Sequence, residues 1–139
     1  MEGISTPFTG TWTYRSFIND PNHHDDVNNL LFGEGELRLD DRELGSVTGH
    51  ISFGTDYQLI LNGGASYGAP FSIRFQGVGQ GGSKAEGWIY DYLGYLVPHW
   101  PNGVDQRPAI VGSVIRTVPH SQGQALAGYV ASFIAVKRG

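Results

Sequence analysis

The chain has 139 residues, with 9 basic and 13 acidic side chains, a formal net charge of −4 and no cysteine. That balance offers no electrostatic basis for nucleic acid or anionic lipid as partner, and it excludes a disulfide framework and thiolate chemistry. The length suits one domain, 1–139, with one core; without a basic, apolar leader or a run approaching ~20 apolar residues, a cytoplasmic protein with no membrane span is expected.

Glycine is the compositional outlier at 21 residues, about twice its usual share of roughly 7%. The glycines sit within and between apolar runs and follow no collagen-like period. Glycine inside strands marks bends, bulges and tightly coiled sheet.

Residues 1–9 read as a loose N-terminal arm. In 10–19, Trp12, Tyr14, Ser16 and Ile18 alternate with Thr11, Thr13, Arg15 and Phe17, the period of a first strand. Residues 20–29 are polar and loop-like. A second strand is predicted over 30–40, with Leu37 and Leu39 on one face and Glu36 and Arg38 on the other. A third spans 44–54, where Val47, Ile51 and Phe53 alternate with Thr48, His50 and Ser52. A fourth covers 57–62. The fifth covers 70–77, with Phe71, Ile73 and Phe75 in phase. A glycine-rich loop follows.

The stretch 86–118 holds two of the three tryptophans and three of the seven tyrosines. It reads as two long strands, 86–97 and 108–118, joined by a Pro/Gly/Asn loop. Trp88, Tyr90 and Tyr92 alternate with Ile89, Asp91 and Leu93. Both sets are largely apolar, unlike a half-solvated strand, so the outward set needs a cover. An eighth strand spans 125–138, with Leu126, Val130 and Ile134 on one face and Tyr129 and Phe133 on the other. A homo-oligomer through the outer face of strands six to eight is expected, with Tyr129 and Phe133 at the contact. No amphipathic helix is predicted. Eight strands with mostly short connections make an all-β, eight-stranded antiparallel up-and-down β-barrel, a size that holds side chains or one small ligand.

Gly10-Thr11-Trp12, opening the first strand, resembles the opening of calycin barrels, the lipocalin and avidin group. The resemblance extends to the spacing of the eight strands over the whole chain. It implies that the Trp12 indole plugs one end and that a basic residue closing the last strand, Arg138 or Lys137, packs on it. The lipocalin disulfides and the biotin-binding polar set of avidins have no counterpart, so no ligand is implied. Dirigent and allene oxide cyclase barrels, enzymes among them, are a competing eight-stranded resemblance. With Trp12 at the plugged end, the connections after strands one, three, five and seven lie at the mouth. They include 21–29, a possible lid, and 119–124 with His120. The aromatic loop 98–107 would then lie at the plugged end, which leaves the opposite end as an alternative working end.

Tyr14, Trp88, Tyr90 and Tyr92 are the candidate ligand-binding residues, because rings stack flat molecules while hydroxyls orient them. Rings that simply fill the core are the competing reading. Tyr90, Asp91, His99 and Arg116 are the candidates for acid–base work or anion binding, with Asp105 beside them. His23-His24-Asp25-Asp26 has metal-ligand residue types, but adjacent loop residues rarely converge on one ion, and no metal is expected. Gly77-Val78-Gly79-Gln80-Gly81-Gly82 formally contains G-x-G-x-x-G, yet a strand follows where a dinucleotide site needs a helix; no cofactor is expected. There is no G-x-S-x-G. The expected function is binding of a small, mostly apolar or aromatic molecule. The alternatives are a cofactor-free isomerase, cyclase or dehydratase acting in the cavity, and a structural subunit with a filled barrel.

Overall fold

A computed structural model describes residues 7–22, 24–41, 45–68, 70–97, 102–120 and 125–138. Eight strands, β1 (Gly10–Ile18), β2 (Leu31–Asp41), β3 (Ser46–Ser52), β4 (Gln58–Ser66), β5 (Ser72–Gly79), β6 (Ile89–Leu96), β7 (Ala109–Arg116) and β8 (Val130–Val136), close in sequence order into one antiparallel barrel. The closing seam pairs Arg15 with Ile134 and Ile18 with Ala131. Between β1 and β2 lies a short 3-10 turn, Val27–Leu30, whose N-terminus is capped by the Asp26 side chain. No helix of the described residues is long and apolar enough to cross a membrane.

Alternation decides which side chains enter the barrel. Trp12, Tyr14 and Ser16 of β1, Leu37 and Leu39 of β2, Ile73 and Phe75 of β5, Tyr90 and Tyr92 of β6 and Ile110, Val114 and Arg116 of β7 are all buried. Their neighbours on each strand face out. Pairs such as Arg38–Asp40 and Arg138–Glu36 lie on the outer wall, where solvent screening leaves each about 0–1 kcal/mol.

The largest departures from the expected strand limits are at the end of β4 and the start of β8. β4 continues through Gly63 and Gly64 to Ser66, beyond the glycines that suggested a turn. A Cβ on Gly63 would overlap the Arg74 carbonyl and Phe75, so the glycine permits a close strand approach and does not end the strand. β8 begins only at Val130; Ala125 instead bridges back to His120, and the chain turns through Gly128 at φ 83°.

The plugged end forms as expected, with a correction to the arm. Trp12 is fully buried, and its indole N–H donates to the Phe8 carbonyl at 2.9 Å. Phe8 is itself fully buried, so the arm is anchored at Pro7–Thr9, and residues 1–6 lie outside the described residues. Trp12 bridges Lys137, whose Nζ stands 5.9 Å from the ring centroid. Lys137, then, is the basic residue on the indole. Arg138 points outward to Glu36 at 2.7 Å.

β8 corrects the expected assembly surface. Phe133 is 3% exposed and lies inside, stacked on Tyr14 with centroids 5.8 Å apart and edge-on to Tyr92. Val130 is the outward residue. Tyr129 sits at the rim, stacked on Phe32 at 5.4 Å. The apolar outer wall of β6–β8 is nevertheless present, made by Tyr95, Val111, Ile115 and Val130.

Candidate functional site

The interior is filled from the Trp12 plug to a ring layer of Tyr14, Phe75, Tyr92 and Phe133, where Phe75 stacks on Tyr92 at 4.8 Å. Beyond that layer it opens. A cavity of about 420 Å³ is lined by Tyr14, Ser16, Phe53, Trp88, Tyr90 and Arg116 among others. It lies at the end reached by the connections after β1, β3, β5 and β7, the mouth predicted by strand parity. At the other end the gap beside Phe8 and Phe71 measures only about 10 Å³. A larger groove, about 1010 Å³, runs over the outer wall past Asn62, Arg74, Gln76, Asp91 and Ile115. Its lining is mostly polar or small, with Ser66 and Ser113 also in it, whereas the mouth gathers Phe32, Phe53, Tyr57, Trp88 and Tyr90 together with the buried Arg116, so the mouth is the better candidate.

Interior glycines make room for this arrangement. Gly112 faces Phe133 across the β7–β8 ladder, and Gly94 is the next residue in that row. A Cβ on Gly94 would come within 2.7 Å of Ile110 and 3.1 Å of Phe133, so the large ring occupies space that a side chain there would take. A Cβ on Gly112 would overlap the Leu93 carbonyl, so that glycine permits the close approach of β6 and β7.

One polar chain crosses the mouth. The Arg116 Nε donates to the Tyr90 hydroxyl at 3.0 Å. That hydroxyl lies 2.7 Å from Nε2 of His120 and, with the imidazole protonated at Nδ1, donates to it. His120 stacks on Trp88 with centroids 4.1 Å apart and planes inclined by 18°. Arg116 also donates from Nη1 to the Leu126 carbonyl at 3.3 Å, and its guanidinium stands over Phe32, Tyr90 and Tyr129 at 5.4, 5.7 and 5.1 Å.

Burial pushes the Tyr14 phenol up to about 12, against hydrogen bonds from Ser16 and Tyr92 that act the other way. Burial also raises Tyr92 well above the ordinary phenol value, helped by its contact with Tyr14. Both remain neutral hydroxyls at any physiological pH and can orient a ligand but not act as bases. His120 is pulled below the ordinary imidazole value, first by desolvation and then by the Arg116 charge. The unfolded chain therefore binds the proton more readily than the folded one, and stability falls as pH drops through the unfolded value of about 6.5. Urea midpoints between pH 7.5 and 5 are expected to fall more for the parent than for His120→Gln; parallel slopes would show that His120 does not carry the effect.

The expected site residues divide. Tyr14, Trp88, Tyr90, Tyr92 and Arg116 meet at the cavity. Asp91 does not: it is on the outer wall, where its carboxylate accepts from Gln76 Nε2 at 3.0 Å. The alternation that puts Tyr90 and Tyr92 inside forces Asp91 out. Asp105 is exposed in a loop at the plugged end, with φ 53°. His99 lies outside the described residues, as do Trp100 and His23. The polar 20–29 loop is tied by its own short turns, Asn22 N–H to Asp20, His24 N–H to Asn22 and Asn28 N–H to Asp26. Within it Asp25 is raised by its hydrogen bond to Asp20. Phe32, Phe53 and Tyr57 were not singled out from sequence; each flanks a mouth connection, and that position was the available signal.

Compared with models of protein families, with curated proteins and with solved structures, the chain matches none.

Proposed function

We propose that this is a calycin-like binding barrel that takes one small, flat, largely apolar molecule into its mouth. The observation that carries this reading is the half-filled interior. The core is solid below Tyr14 and Tyr92, and a space of about 420 Å³ lies above them, walled by rings. Space of that size matches the lower range of small-molecule sites. Hydroxyls from Tyr14, Ser16, Tyr90 and Tyr92 line or border it, so an apolar body and a few oriented polar contacts are both provided.

Titration with a neutral fluorescent naphthylamine probe tests this. Saturable one-to-one binding that quenches the tryptophan emission is expected, with the quenching lost in Trp88→Phe. Gly33→Leu, which directs a side chain toward Ser16 and Phe53, is expected to weaken binding about tenfold or more, the cost of losing a modest apolar contact area. A folded protein that binds no probe would end the proposal.

A second reading, a cofactor-free isomerase, cyclase or dehydratase, is favoured by the Arg116–Tyr90–His120 chain. A phenol that accepts from a cation and donates to a neutral imidazole can exchange a proton with a bound substrate. Tyr90→Phe is then expected to abolish turnover while neutral-probe affinity changes little. The homo-oligomer remains part of the proposal, with Val111, Ile115 and Val130 as the contact in place of Phe133.

A further inference from the structure

We infer that the molecule held in the mouth is an acid, and that its anionic head group pairs with Arg116. The inference rests on the binding reading above and specifies the chemical class of the ligand. Arg116 ends β7 and is 7% exposed. A guanidinium stays charged at every relevant pH, and a buried cation needs an anion or a full set of acceptors. Among the described residues no carboxylate forms an ion pair with it. Its acceptors are two neutral oxygens, the Tyr90 hydroxyl and the Leu126 carbonyl, reached from Nε and Nη1. Nη2 finds no acceptor among the described residues and is not enclosed: it faces the open mouth, where an incoming group can reach it. The rings of Phe32, Tyr90 and Tyr129 stabilise the charge through their faces, but a ring face does not replace a hydrogen-bond acceptor.

Glu34 borders the same cavity without pairing with Arg116; the register sets it opposite Arg15. A carboxylate or similar oxyanion from outside the chain would meet the remaining Nη2 edge of the guanidinium and accept from it in a charge-assisted bond.

The register also orients the ligand. Arg116 lies opposite Tyr90, and Val114 lies opposite Tyr92. Two residues along a strand are about 7 Å, so the head group stays at the rim while the apolar body reaches the Tyr14–Tyr92 layer. The class is a small aromatic or short aliphatic acid that enters body first.

The test compares 2-naphthoate with 2-naphthamide, its uncharged counterpart of the same shape, by calorimetry on the parent protein and on Arg116→Gln. The parent is expected to prefer the acid by at least about tenfold, as a charge-assisted pair predicts, and Arg116→Gln to bring the ratio of acid to amide affinity close to one. Equal affinity of the parent for acid and amide would overturn the inference and leave the binding reading intact. Binding of neither, in a folded protein, would overturn both. Should Arg116→Gln not fold, the comparison on the parent decides alone.

Discussion

Replacing Trp12 by alanine is expected to lower the unfolding free energy by about 3–5 kcal/mol, the usual cost of truncating a large buried ring. The indole is fully enclosed and is the largest of the fully buried side chains. Three partners depend on it: the Phe8 carbonyl that accepts its N–H, the Lys137 ammonium over its face and the Phe8 ring anchored beneath the plug. The loss is a large part of the 5–15 kcal/mol that holds a typical domain together. Chemical denaturation of Trp12→Ala and Trp12→Phe should rank them in that order of damage, with the phenylalanine variant recovering part of the loss. A change of about 0.5 kcal/mol or less, the range of ordinary surface substitutions, would mean that the plug is not holding the barrel closed.

The second large effect separates the two faces of β8. Phe133→Glu is expected to leave no folded protein near neutral pH. The ring alone contributes about 3–5 kcal/mol, and the new carboxylate would be buried among Tyr14, Tyr92 and Ile110 with no cation beside it. Val130→Glu, on the outer wall at 44% exposure, is expected to fold with a stability change of about 0.5 kcal/mol or less. If the protein associates through the wall of β6–β8, that same variant should scatter light as a monomer. Circular dichroism and light scattering on the pair read both outcomes. A folded Phe133→Glu would show that the ring faces solvent after all.

Much of the barrel was legible because alternation has a period of two, and a one-residue shift would expose every apolar side chain of a strand. β1, β2, β3 and β5 carry clear contrasts, such as Leu37 and Leu39 against Glu36 and Arg38. β8 carries no such contrast: Ala131, Phe133 and Ala135 face Val130, Ile134 and Val136 across one backbone, and both sets are apolar. The inward choice is made by neighbours. Phe133 fits inside because Gly94 lies in its row and leaves the space a Cβ would take within 3.1 Å of the ring, a relation that joins residues about forty positions apart. The candidate site followed the same division. Alternation put Trp88, Tyr90 and Tyr92 on one strand face that could line a cavity, and strand parity placed His120 at the mouth; Arg116 was a candidate by residue type alone. It gave no means of seeing that Tyr90, Arg116 and His120 form one hydrogen-bonded chain, since those contacts depend on how the barrel is sheared and closed.

The residue pattern by itself determined the strand class and the antiparallel meander, because these follow from local alternation and short connections; the plug at Trp12 was implied by the resemblance of Gly10-Thr11-Trp12 to the opening of calycin barrels. Only the closed structure decided that Phe133 is core, that Asp91 is excluded from the interior and that Arg116 is buried without a counterion among the described residues. Those outcomes depend on cross-strand partners and on the volume left inside. Such quantities are fixed by the register of all eight strands together and by no single segment.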